Sequence, residues 1–220
     1  MKRTLTALLF ALAISLPGKS QSSYCLTFAE YQARQYHPIE NLRMEYRSGS
    51  KSLWNGGASY KPLTGNKKTD KTLKKDARFI VFHDSLYINC RKLSCQGVVF
   101  GNWYARAWLF HNEYILFTAL NINSVSQTRD VAFLFGAIGG AIAAAKNRDD
   151  YCCYIYYPNA ETVEIIDQQM VNRLLEEHPE LQQELDKADP KKRFTPETLL
   201  PILRKLGLIA TVDNPTTACG

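Results

Sequence analysis

The 220-residue sequence has little of what usually betrays a reaction. It contains no CxxC pair, and its four histidines, His37, His83, His111 and His178, are scattered, so no zinc-ligand spacing occurs. HExxH, the EF-hand loop, GxGxxG and GxxxxGK[ST] are all absent, which removes the sequence grounds for a zincin, a calcium loop or a nucleotide-phosphate cradle. There is no GxSxG elbow either. His83, Asp84 and Ser85 supply the three residue types of a hydrolase triad, but consecutive side chains cannot converge as a relay, and they read as a turn at a strand end. We therefore expect no catalytic residue, no metal and no cofactor. No uninterrupted apolar run reaches the ~20 residues of a membrane-spanning helix.

What is present is an unusual central stretch, VAFLFGAIGGAIAAAK, whose residues 131–145 are uncharged and mostly apolar. As one helix, fifteen residues reach roughly 22 Å, short of the ~30 Å hydrocarbon core. Arg129 and Asp130 close the stretch on one side, and Lys146, Arg148, Asp149 and Asp150 on the other. Gly136, Gly140 and Ala144 recur every fourth position and would form a stripe of small residues on a helix. Gly136, Gly139 and Gly140 together cost a helix about 0.8–1 kcal/mol each relative to alanine, so they require a compensating contact or a break. The expectation is a helix, kinked or straight, buried within its own domain. The alternatives are a stripe, Gly136 to Ala145, that meets a membrane or a second copy, and a loop that cradles an anion.

Residues 1–20 carry an export signature: Lys2 and Arg3, an apolar run from Leu5 to Leu16, then Pro17, Gly18 and Ser20. Cleavage there removes Lys2, Arg3 and Lys19 and no acid, so the formal charge falls from +6 to +3. The remaining ~200 residues fit one domain with a real core. Residues 21–76 read as an irregular segment with short strands, and residues 77–220 as the α+β core of the same domain. Six cysteines (Cys25, Cys90, Cys95, Cys152, Cys153, Cys219) in an exported chain favour disulfides, with Cys90–Cys95 and Cys25–Cys219 as candidate pairs among fifteen connectivities.

Along the chain, Phe28, Tyr31 and Gln35 suit a short helix that ends before His37-Pro38. The lysines Lys67, Lys68, Lys71, Lys74 and Lys75 form a basic patch, read chiefly as a solvated loop because no aromatic platform interleaves them as a nucleic-acid surface would require. From Phe79 to Leu120 alternation indicates strands, with a hairpin turn at His111-Asn112-Glu113. Tyr151 to Tyr157 and Thr162 to Ile166 form a second hairpin, in which Cys152 and Cys153 point to opposite faces, leaving at most one of them for the core. The C-terminal part is helical, with Asp167 and Thr195 as caps, Pro179 and Pro196 as first-turn residues, and Gly207 as a stop; Pro201 should kink the last helix or delay its start. The fold class is α+β: an antiparallel sheet with a central Gly/Ala-rich apolar helix and C-terminal helices.

The segments TDKTLKKDARF, DSLYINCRKL, FGNWYARA and FGAIGGAIAAAK resemble a family of uncharacterised secreted Bacteroidetes proteins, over most of the chain from Leu53 to Leu208. That resemblance implies export and a single domain, and no reaction. The functional expectation is an exported, non-catalytic protein of the periplasm, outer membrane or extracellular space that binds a partner, with no nucleic acid involved. Its contact surface would be the stripe (Gly136, Gly139, Gly140, Ala144) or an aromatic sheet face around Trp103, Tyr104 and Trp108. An exported enzyme of unfamiliar type, and a protein that associates with membranes or with itself, are the alternatives.

Overall fold

The computed structural model describes residues 22–47 and 49–209; the expected leader and Cys219 lie outside the described residues. In chain order the elements begin with β1 (Ser23–Cys25), α1 (Phe28–Gln32), β2 (His37–Pro38), β3 (Arg43–Tyr46), α2 (Gly49–Trp54), β4 (Tyr60–Leu63) and α3 (Lys67–Lys75). The middle of the chain supplies β5 (Phe79–Phe82), β6 (Ser85–Asn89), β7 (Ser94–Cys95), β8 (Val98–Val99), β9 (Tyr104–Phe110) and β10 (Tyr114–Leu120). There follow α4 (Ile122–Asn147), β11 (Tyr151–Tyr157), β12 (Thr162–Ile165), α5 (Gln168–Leu174), α6 (Pro179–Asp186) and α7 (Pro196–Lys205).

Ten of the strands form one antiparallel sheet, in the order β12-β11-β10-β9-β6-β5-β1-β2, with β3 and β4 attached at the Tyr60–Tyr104 pairing. The fold is α+β, as the alternation implies. The segment before residue 77 is more ordered than expected. It contributes strands to the main sheet and three helices, including α3 where the lysine-rich stretch reads as a loop. Asn66 caps α3 by accepting from the Lys68 and Thr69 amides, and Leu73 is the side chain it buries.

The sheet is covered on both faces. Alternation along β9, β10 and β11 sends Ala105, Ala107, Ile115, Phe117, Cys152 and Tyr154 into one core. Trp108, Phe110, Leu116, Cys153 and Ile155 go to the other, beneath Leu185, Leu199 and Leu203 of α6 and α7. The vicinal pair Cys152-Cys153 is consequently buried on both sides, because neither face of β11 meets solvent. α7 runs through Pro201 without a break. Gly207 follows with φ 70°, the left-handed stop that the last helix called for.

Cys25, Cys90, Cys95, Cys152 and Cys153 are free thiols, all buried, so Cys90 and Cys95 are not paired. Loss of hydration pushes the Cys25, Cys90 and Cys152 thiols up to about 12, and their thiolates are suppressed at neutral pH.

An exposed apolar hairpin as the candidate functional site

Leu120, the last residue of β10, is the direct partner of Tyr151, the first residue of β11. The chain that leaves the sheet at residue 120 must therefore return to the same place thirty-one residues later. A straight helix over Ile122–Asn147 would separate its ends by roughly 38 Å. The break lies at Gly136, with φ 68° and ψ −163°, a backbone conformation open essentially to glycine alone.

Residues 122–135 and 137–147 are thus two helical arms that fold back on each other. Asn147 Nδ2 donates to the Ser124 carbonyl at 3.5 Å and to Thr128 Oγ1 at 3.3 Å. A Cβ placed on Gly140 would lie 2.6 Å from the Ala132 Cβ, although eight residues of continuous helix would hold the two ~12 Å apart. The glycine at 140 is what lets the arms touch. The stripe is accordingly divided: Gly140 and Ala144 are buried against the other arm and α2, whereas Gly136 is the exposed turn.

The root of the hairpin is polar and buried. Tyr154, on β11, accepts from the Ile122 amide at 3.0 Å and donates to the Leu120 carbonyl at 3.1 Å, filling one of the orphan donors at the helix start. Burial pushes its hydroxyl ionisation upward. The Asn121 side chain caps the first turn by accepting from the Asn123 amide, and the Asn121 backbone N–H donates to the Asp150 carbonyl at 2.7 Å. Ser124 Oγ donates to the Asp150 carboxylate, and Thr128 Oγ1 donates to the Ser124 carbonyl at 2.7 Å. α2 buttresses the returning arm so closely that a Cβ on Gly49 would stand 1.8 Å from the Arg148 carbonyl oxygen.

The tip is the reverse. Phe133 is 90% exposed, Leu134 70%, Phe135 71%, Ile138 79% and Ile142 68%. The expected burial of this stretch holds only for residues on the inner side of the arms. Trp54, at the end of α2, lies against the returning arm: its Cη2 is 2.8 Å from where a Cβ on Gly140 would stand, and the side chain keeps about half of its surface in solvent. α4 is long and apolar enough by composition to cross a membrane, but the two arms run antiparallel from one root, so no spanning helix is formed.

The other residues singled out by sequence lie elsewhere. Tyr104 is buried, its hydroxyl donating to the Leu73 carbonyl at 2.6 Å, and together with Asn89 Nδ2, 2.8 Å from the Ala77 carbonyl, it ties down the end of α3. Trp108 is buried beneath the C-terminal helices, and Trp103 is partly covered, with the Arg47 guanidinium 5.9 Å from its ring centroid. The aromatic cluster is therefore split between packing sites and presents no shared surface. Lys67, Lys68, Lys71, Lys74 and Lys75 are exposed along α3. The tip residues Phe133, Leu134, Phe135, Ile138 and Ile142 are not among the residues that sequence reasoning picks out. Their signal is that apolar residues occur all round the helical wheel, which a helix buried on one side does not need.

The model of a family of unknown function, DUF6563, matches residues 23–210, and the chain belongs to that family. No curated protein and no solved structure matches it.

Proposed function

We propose that this DUF6563 protein is an exported, non-catalytic protein of the cell envelope that seats the tip of its α4 hairpin in the acyl boundary of one membrane leaflet. The observation that carries it is the exposure of Phe133, Leu134, Phe135, Ile138 and Ile142 around a tip that has no charge between residues 131 and 145. Such a contiguous apolar surface is unusual on a soluble domain and marks a contact site.

The dimensions favour a leaflet. Asp130 lies six residues from Gly136, so the charge-free reach of the first arm is roughly 9 Å, within the ~5–10 Å depth to which interfacial helices sink. Trp54 beside Gly140 would then sit at headgroup level, where an amphipathic indole is favoured. The tip is convex, and a bilayer accepts a convex apolar tip without a matching pocket. Self-association through the small-residue stripe is disfavoured because Gly140 and Ala144 are already occupied within the hairpin.

Vesicle flotation tests the assignment. The mature protein should rise with phosphatidylethanolamine/phosphatidylglycerol vesicles, and the triple substitution Phe133→Ser, Leu134→Ser, Phe135→Ser should leave it at the bottom of the gradient with an unchanged melting temperature. A wild-type protein that stays down, or a triple variant that still floats, refutes it. A wild-type protein that stays down but forms a concentration-dependent dimer through the tip would identify a second copy as the occupant.

A further inference from the structure

On the sheet face that carries the C-terminal helices, β9 presents Tyr104, Arg106, Trp108 and Phe110 in alternation. Tyr104 is covered by the cluster under α3, and Trp108 and Phe110 by the cluster under α7. Arg106 falls between the two covers. A cleft of about 240 Å³ opens there, lined by Asp84 and Ser85 at the β5–β6 turn, Arg106 and Trp108 on β9, and Arg204 on α7.

Two arginines thus line one cleft from separate elements. Arg47, Arg148 and Arg193 each pair with a carboxylate, whereas neither Arg106 nor Arg204 has an ion pair or a side-chain hydrogen bond among the described residues. Arg106 is also steadied, its guanidinium carbon lying 5.8 Å from the centroid of the buried Trp108 ring. A fork held against an aromatic face loses less freedom on binding than a free side chain, and its geometry matches carboxylate and phosphate oxygens. With one acid, Asp84, against two arginines, the lining keeps a positive excess.

We propose that this cleft binds a small organic oxyanion, a carboxylate or a phosphate, between the guanidinium groups of Arg106 and Arg204, with Ser85 as a further hydrogen-bonding group. Its volume is below the ~300–1,000 Å³ typical of drug-sized ligands, so the ligand is a compact metabolite-like anion rather than a polymer. Asp84 on the rim offers a counterpart for an ammonium or hydroxyl group on the same ligand. The site is independent of the hairpin and of its membrane role.

Titration calorimetry on the whole mature protein at low ionic strength tests it, with inorganic phosphate and succinate as probes. We expect saturable binding of at least one probe, weakened about tenfold or more by Arg204→Gln and by Arg106→Gln, and within about twofold of wild type in Arg173→Gln, a control on α5. The better-bound probe tells phosphate from carboxylate. Arg204 is exposed, so its variant carries the test even if Arg106→Gln fails to fold. Absence of saturable binding for both probes at millimolar concentration, or an equal loss in Arg173→Gln, overturns the proposal.

Discussion

The root and the tip of the α4 hairpin invert the usual distribution of polarity. At the root, Ser124, Thr128 and Asn147 are buried, and each is hydrogen-bonded within the first two turns of the outgoing arm or to the residues where the chain returns to the sheet. At the tip, the largest apolar side chains of the element face solvent. A hairpin stabilised by its tip would pack those phenylalanines against the body; here the polar root, α2 and the β10–β11 pairing hold the hairpin, and its apolar surface is left free for something else. Stability and contact are assigned to opposite ends of one element, so substitutions should separate them.

The largest separation comes from the tip. Full burial of a Phe or Leu side chain is worth roughly 1.5–3 kcal/mol, so replacing Phe133, Leu134 and Phe135 by serine should lower vesicle partitioning by at least about three orders of magnitude. Thermal denaturation of the same variant should be unchanged, because those side chains touch little of the body. A concurrent drop in melting temperature would mean that the tip is packed in solution and would break the comparison.

Alkaline titration should act on the body alone. Cys25, Cys90 and Cys152 ionise near 12 when folded against about 9 when unfolded, so the unfolded chain sheds protons first. Their contribution to stability is complete below pH 9 and is lost as pH rises from about 9 toward 12. Denaturant midpoints should fall across that window, while residues 131–145, which hold no titratable group, should bind vesicles equally well for as long as the protein stays folded. Vesicle binding that is lost well before the folded state is would point to a charged contact instead.

At the root, Tyr154→Phe removes the hydroxyl shared by the Ile122 amide and the Leu120 carbonyl, which should cost about 1–3 kcal/mol in chemical denaturation and leave the vesicle affinity of the folded protein intact. Gly136→Ala sharpens the comparison most finely. Nothing lies within 4 Å of the added Cβ, so the cost is conformational, on the order of 1–3 kcal/mol, and can relax locally because the turn is exposed. Crystallographic or NMR analysis of that variant should find the root bonds retained and the arms splayed.

Much of this framework could be read along the chain, because it depends on local periodicity. Tyr114 to Leu120 and Tyr151 to Tyr157 are short apolar and aromatic runs bounded by turn residues and are β10 and β11 to the residue, and the turn between β9 and β10 places His111 and Asn112 at positive φ. Asp167 caps α5 through the Met170 amide, as its position before an apolar helix suggests. The hairpin was not readable in this way. Fifteen uncharged residues have the same composition whether they are buried, spanning or exposed at a tip, and what selects the last is the non-local pairing of Leu120 with Tyr151. The two-faced burial of Cys152 and Cys153 did have a local sign, since YCCYIYY carries no charged residue on either face and so reads as a strand covered on both sides. The convergence of Arg106 and Arg204, far apart in the chain, carries no local signal at all.

Depth measurement at the tip tests the central claim most directly. An environment-sensitive fluorophore on Phe135→Cys, in a Cys219→Ser background that leaves only the five buried native thiols beside it, should shift to the blue on addition of vesicles and be quenched by nitroxides placed in the upper acyl chain. Emission that stays solvent-like, unquenched by nitroxides at any depth while the protein remains folded, would contradict the account.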